Sequence, residues 1–159
     1  MANIILMDNL NIRATSFNAK STYGLEELLF YVPTKMNGVN IYVMIVDSAG
    51  TKDILPVQFA GSHNEYKKYK INHSASIRTK SGPCQIYILT IDSRTNIINT
   101  STKMDIQISI ENYKLMRQLY IVNELNNSVG SMYEKILNMT EMNIELYEKM
   151  SALKEEVGK

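Results

Sequence analysis

The side chains best suited to catalysis or metal binding are few in this chain of 159 residues: two histidines, one cysteine and sixteen carboxylates. His63 and His73 lie in polar, loop-like stretches and lack cysteine or carboxylate partners at metal-ligand spacing. Both read as exposed loop histidines. Cys84 opens an apolar alternation, and no histidine context suggests a thiolate–imidazole pair. It reads as a buried thiol, and a lone cysteine forms no internal disulfide. Gly24, Gly38, Gly50, Gly61 and Gly82 are isolated turn glycines and build no phosphate loop. Glu26 and Glu27 are adjacent, but nothing pairs carboxylates for acid–base work. The expectation is a protein that is not an enzyme, with no catalytic residue, no metal and no cofactor.

Charge points the same way. Net charge is +1, far from the basic footprint of a nucleic-acid binder. The one basic cluster is Lys67, Lys68 and Lys70, which reads as a wet strand face with Tyr66, Tyr69 and Ile71 turned inward. Aromatic residues are mostly tyrosine at strand spacing, and there is no tryptophan. No run approaches the roughly 18 apolar residues of a membrane span. Met1 to Asn9 lacks a cationic start and a long apolar run, so no signal peptide is expected. The Asn-x-Ser/Thr matches at Asn72, Asn99, Asn126 and Asn138 carry no meaning without export.

Two periodicities divide the chain near Asn112. Before it the apolar period is two. Val39, Ile41, Val43 and Ile45 face one way, and Asn40, Tyr42, Met44 and Val46 the other. Asp47-Ser48-Ala49-Gly50-Thr51 then turns the chain. Lys52–Phe59 returns with Leu55, Val57 and Phe59 on one face, and Pro56 predicts an edge strand or a bulge. Cys84–Asp92 repeats the unit, with Cys84, Ile86 and Ile88 opposed to Gln85, Tyr87, Leu89 and Ile91. Met104, Ile106, Ile108 and Ile110 alternate with polar residues as a strand with one wet face. Weaker strands are expected at Asn11–Asn18, Leu28–Val32 and Tyr66–Asn72, and a turn or single helical turn at Ser74–Ser81. About seven short strands with turns between them predict an immunoglobulin-like antiparallel β-sandwich head over 1–112.

After Asn112 the period is seven. With Leu115 at position a, the a/d seam runs Leu115, Val122, Leu125, Val129, Met132, Ile136, Met139, Asn143, Leu146, Met150, Leu153 and Val157, with Gln118 a polar residue at d. Glu134, Glu141, Glu148 and Glu155 occupy the opposite pole, seven apart. A strict heptad predicts a left-handed coiled-coil stem over 113–159, and Leu115 to Val157 would span ~65 Å. Asn127, Ser128, Gly130 and Ser131 weaken the helix and allow a hinge or break. Asn143, alone at its a position, suits a register-setting role. β-branched residues at a lean to two strands; Leu119, Ile121, Tyr133, Met142 and Tyr147 widen the face towards three.

The order of these parts resembles a known family. A strand at Val39–Val46, the turn Asp47–Thr51, a second strand to Phe59, a Tyr/Lys strand at Tyr66–Asn72, the run Gly82-Pro83-Cys84-Gln85-Ile86-Tyr87-Ile88-Leu89-Thr90-Ile91-Asp92 and a closing strand to Ile110 are followed directly by a heptad helix. This is similar to the amino-terminal domain and stem of baseplate upper proteins from tailed phages of Gram-positive bacteria and from phage-tail-like bacteriocins. The resemblance implies an immunoglobulin-like head docked on other baseplate or tail proteins. It also implies a homo-oligomer, trimer favoured and dimer possible, carrying a fibre or receptor-binding protein at the far end. Such a chain would be made in the host cytoplasm and sit in a virion or tail-like particle, with neither nucleic acid nor membrane as partner. Relatives usually continue into receptor-binding tips, whereas this sequence stops at Lys159, so either a separate polypeptide is expected there or the chain is a fragment. The competing expectation is an oligomeric carbohydrate- or host-receptor-binding module.

Overall fold

The computed structural model describes residues 2–15, 17–18 and 21–158. Among the described residues ten strands precede one helix: β1 (Ala2–Leu6), β2 (Ile12–Thr15), β3 (Thr22–Gly24), β4 (Leu28–Pro33), β5 (Val39–Asp47), β6 (Lys52–His63), β7 (Tyr66–Ile71), β8 (Gly82–Asp92), β9 (Ile98–Thr100), β10 (Met104–Ser109) and α1 (Glu111–Val157). A single 3-10 turn at Leu25–Glu27 joins β3 to β4. The strand expected over Asn11–Asn18 is β2; Ser16 within it, and Lys159 at the end of the expected stem, lie outside the described residues. Ser74–Ser81 forms turn and irregular chain with no helical turn.

The immunoglobulin-like antiparallel sandwich is not the fold. The strands form one sheet in the order β2-β1-β4-β7-β6-β5-β8-β10-β3, with β9 on β8, curled into half a barrel. It is also mixed, since β1 runs parallel to β4 and β10 parallel to β3. The coiled coil is likewise corrected: the chain contributes one long helix. A supercoil needs a second helix, and a heptad records only that one helix has an apolar seam. The sandwich expectation fails for a related reason. Period-two alternation says that each strand has a dry face, and a curled sheet closes over that face as well as a second sheet does.

The long strand β6 is what makes the sheet single. It pairs with β5 through Lys52–Pro56 and then with β7 through Val57–His63. Pro56 lies at this handover, where Asn72 N–H donates to its carbonyl at 3.0 Å. Without an amide of its own, it loses least where the strand changes partners. The bulge falls further on, between Phe59 and Gly61, and Gly61 takes φ +117° there, a conformation open to glycine.

One core fills the concave face. Ala2, Ile4, Leu6, Phe30, Ile45, Ile86, Ile88 and Ile108 are all completely buried. The alternations expected for β5, β8 and β10 place Ile41, Val43, Ile45, Cys84, Ile86, Ile88, Ile106 and Ile108 inside, but Leu89, expected on the opposite face of β8, is buried as well. Phe59 departs from its expected face: it is exposed and packs edge-on against Tyr69 at 5.9 Å. By contacts the chain divides into two compact units, Met1–Leu119 and Tyr120–Lys159.

Candidate functional site: the helical seam and its root

α1 begins inside the first unit. Ile110, completely buried, donates its N–H to Ser81 Oγ at 2.9 Å, and Lys114 N–H closes the first helical turn on the Ile110 carbonyl. Tyr113 then enters the core and is 0% exposed. Its hydroxyl lies 2.7 Å from the Ala75 carbonyl and 3.1 Å from that of Asn72, and burial of the ring pushes the phenol pKa up. The His73 ring packs against it at 5.6 Å, so His73 is half-buried instead of free in a loop. His63 is exposed at the end of β6.

Two buried carboxylates fasten the same segment, residues 72–81, at Arg78, Thr79 and Lys80. Asp47 Oδ2 accepts Lys80 N–H at 3.1 Å, while Oδ1 accepts Thr51 and Ala49 N–H at 2.9 and 3.0 Å. The Lys80 hydrogen bond outweighs desolvation and, with the other two, holds the Asp47 carboxyl below the usual range. Desolvation pushes the Asp53 carboxyl up. The Thr79 hydroxyl, the Thr79 N–H at 2.7 Å and the Arg78 N–H at 2.9 Å together outweigh it and hold the group low. The sequence reading saw Asp47 only as a turn residue and missed Asp53 and Tyr113. Asp53 carried one signal, a charged residue at an inward position of an alternating strand.

A groove of about 460 Å³ opens where β5, β8 and β10 meet, lined by Asp47, Cys84, Gln85, Asp105 and Gln107 among others. Asp47 is committed to the backbone as described. Cys84 is buried, its thiol 3.7 Å from the Lys80 carbonyl and pushed up in pKa by burial and then by the Asp47 charge. Among the described residues no group of three histidine, cysteine or carboxylate side chains could hold a metal ion. Among the described residues no helix is long and apolar enough to cross a membrane.

The seam residues lie uncovered along α1. Leu115 is 55% exposed although it stands two residues from Tyr113. At 3.6 residues per turn the two side chains point about 200° apart. Tyr113 and the half-buried Arg117, one turn on, take the face turned to the core, and Leu115 takes the opposite one. Along the rest of the helix Val122, Leu125, Val129, Met132, Ile136, Met139, Leu146, Met150, Leu153 and Val157 are all exposed, as is Asn143. The helix runs unbroken through Asn127–Ser131, where a hinge was allowed. No protein-family model matches the chain, and no curated protein matches it.

Proposed function

We propose that this protein is a non-enzymatic structural component of a phage tail baseplate or tail-like particle. It anchors by its curled-sheet head and self-associates through the seam of α1, as a trimer by preference, to carry a fibre or receptor-binding component. One observation carries the reading: the side chains of the seam from Leu115 to Val157 are exposed along the helix. Each Leu, Ile, Val or Met side chain buried there contributes roughly 1.5–3 kcal/mol, so a helix carrying eleven of them gains far more from a partner than from water. Support for the particle comes from the order of strands, turns and heptad helix. The immunoglobulin-like part of that likeness does not hold, so the helix bears most of the weight.

Sedimentation equilibrium on the intact chain tests the association. A trimer or dimer is expected, and the double variant Leu125→Asp/Leu146→Asp should be a folded monomer. An intact chain that stays monomeric at every concentration removes the adaptor reading. Mass spectrometry of tail particles purified from producing cells tests the location, and particles free of the chain would refute it.

A further inference from the structure

The outer face of one half of the sheet carries charge that the chain does not neutralise. Ala2, Ile4, Leu6, Leu28, Phe30 and Val32 point into the core, so Ile5 and Tyr31 point outward with the residues paired to them. The register sets Arg13 beside Ile5, Ile5 beside Tyr31, Tyr31 beside Lys68, and Lys68 beside Gly61. That is one row across β2, β1, β4, β7 and β6. Lys70 stands two residues along β7 on the same side, and Tyr66 pairs with His63 on the other flank. The Tyr31 ring meets Tyr66 at 6.4 Å and His63 at 6.5 Å, both edge-on. A Cβ on Gly61 would lie 3.8 Å from Lys68 Cε, so the lysine stem crosses bare backbone.

Among the described residues Arg13, Lys68 and Lys70 make no ion pair. Of the carboxylates near this face, Asp8 is taken by Lys35 at 2.5 Å, Glu65 is exposed in the β6–β7 turn, and Glu27, in the 3-10 turn that touches β7, accepts the Gly24 N–H. With strands ~4.8 Å apart, Arg13 and Lys68 are separated by about 14 Å, and Lys68 and Lys70 by about 7 Å.

We infer that this face binds an anionic polysaccharide. Three unneutralised cations spread across the sheet answer a chain of repeated negative charge better than one small anion. Tyr31 and Tyr66, half-buried beside them, offer ring edges and hydroxyls to the mixed C–H and O–H surface of sugars. Locked edge-on, these rings leave no flat platform of the kind on which bases of a single-stranded nucleic acid stack. None of its residues lies on α1, so the site stands or falls separately from self-association through the helix.

Titration of the full chain in about 50 mM salt tests it, with polygalacturonate, poly(glycerol phosphate), neutral dextran and single-stranded oligothymidylate as probes. One or both anionic glycans should bind, and which one shows whether carboxylate or phosphate is preferred. Dextran should not bind, and affinity should fall at least tenfold at about 0.5 M salt, where the screening length shrinks towards a few ångströms. Arg13→Glu and Lys68→Glu should each weaken binding at least tenfold. Lys68→Ala, milder for folding, should weaken it about threefold, and Lys103→Glu elsewhere on the head should leave it unchanged. The inference is overturned if neither anionic glycan binds, if dextran binds equally, if oligothymidylate binds more tightly than both glycans, or if folded Lys68 variants bind as the parent does.

Discussion

The hydroxyl of Tyr113, on the first turn of the helix, lies 2.7 Å from the carbonyl of Ala75, in the irregular segment between β7 and β8. The helix is thereby fixed at its root by a ring in the core and a hydrogen bond to a loop that two aspartates hold further along, at Arg78, Thr79 and Lys80. Tyr113→Phe keeps the ring and leaves the carbonyls short of a donor, at a cost of about 1–3 kcal/mol. Tyr113→Ala also empties a core site, and large-to-small changes of that kind cost about 3–5 kcal/mol. Urea denaturation followed by tyrosine fluorescence should show midpoints falling in that order, and equal midpoints for Phe and Ala would show that the ring contributes nothing.

Acid should loosen residues 72–81 first. Asp47 and Asp53 both have lowered pKa values in the folded chain. A carboxyl whose folded pKa lies below its unfolded one contributes stability that is fully present above the unfolded value, about 3.9. That contribution is lost as pH falls from there through the folded value. Amide exchange at Arg78, Thr79 and Lys80 should therefore accelerate below about pH 4 before the β5 and β8 amides do. In Asp53→Asn the acid-induced change should shrink, and the protein should be less stable at pH 7 by roughly 1–3 kcal/mol, because an amide accepts these N–H groups more weakly than a carboxylate.

Gly130 sits inside α1, and beyond its chain neighbours and the adjoining helix backbone no atom lies within 4 Å of where a Cβ would be. Gly130→Ala should raise helix stability by about 1 kcal/mol, read as increased ellipticity at 222 nm near the melting midpoint of the helix. A loss of ellipticity would mean that the glycine serves a close approach made only in an assembly.

Cys84 should react slowly. Its thiol is buried and its pKa is raised, and thiolate is the reactive form. Labelling by a disulfide reagent at pH 8 should run at least about a hundredfold slower on the native protein than in denaturant. A native rate near the denatured one would place Cys84 at an accessible surface of the groove between β5 and β8.

Much of the strand content was written in the sequence. The alternations at 39–46, 84–92 and 103–110 name the buried residues of β5, β8 and β10 almost one by one, because a strand with one dry face repeats every two residues. The heptad from Leu115 to Val157 likewise marks the apolar line along α1, because a helix returns to the same face after seven. Both signals are local: they say which side of an element is apolar and stop there. What covers that side is decided by contacts between residues far apart in sequence. For the strands, the tertiary structure chose a single curled sheet, with β6 changing partners at Pro56 and parallel pairings of β1 with β4 and of β3 with β10. No turn or alternation encodes those pairings. The same holds for Tyr113, which a seven-residue period counts as an outward position and which the fold turns into the core. It holds for the cationic row too, since Arg13, Tyr31 and Lys68 meet only through the register of four strands.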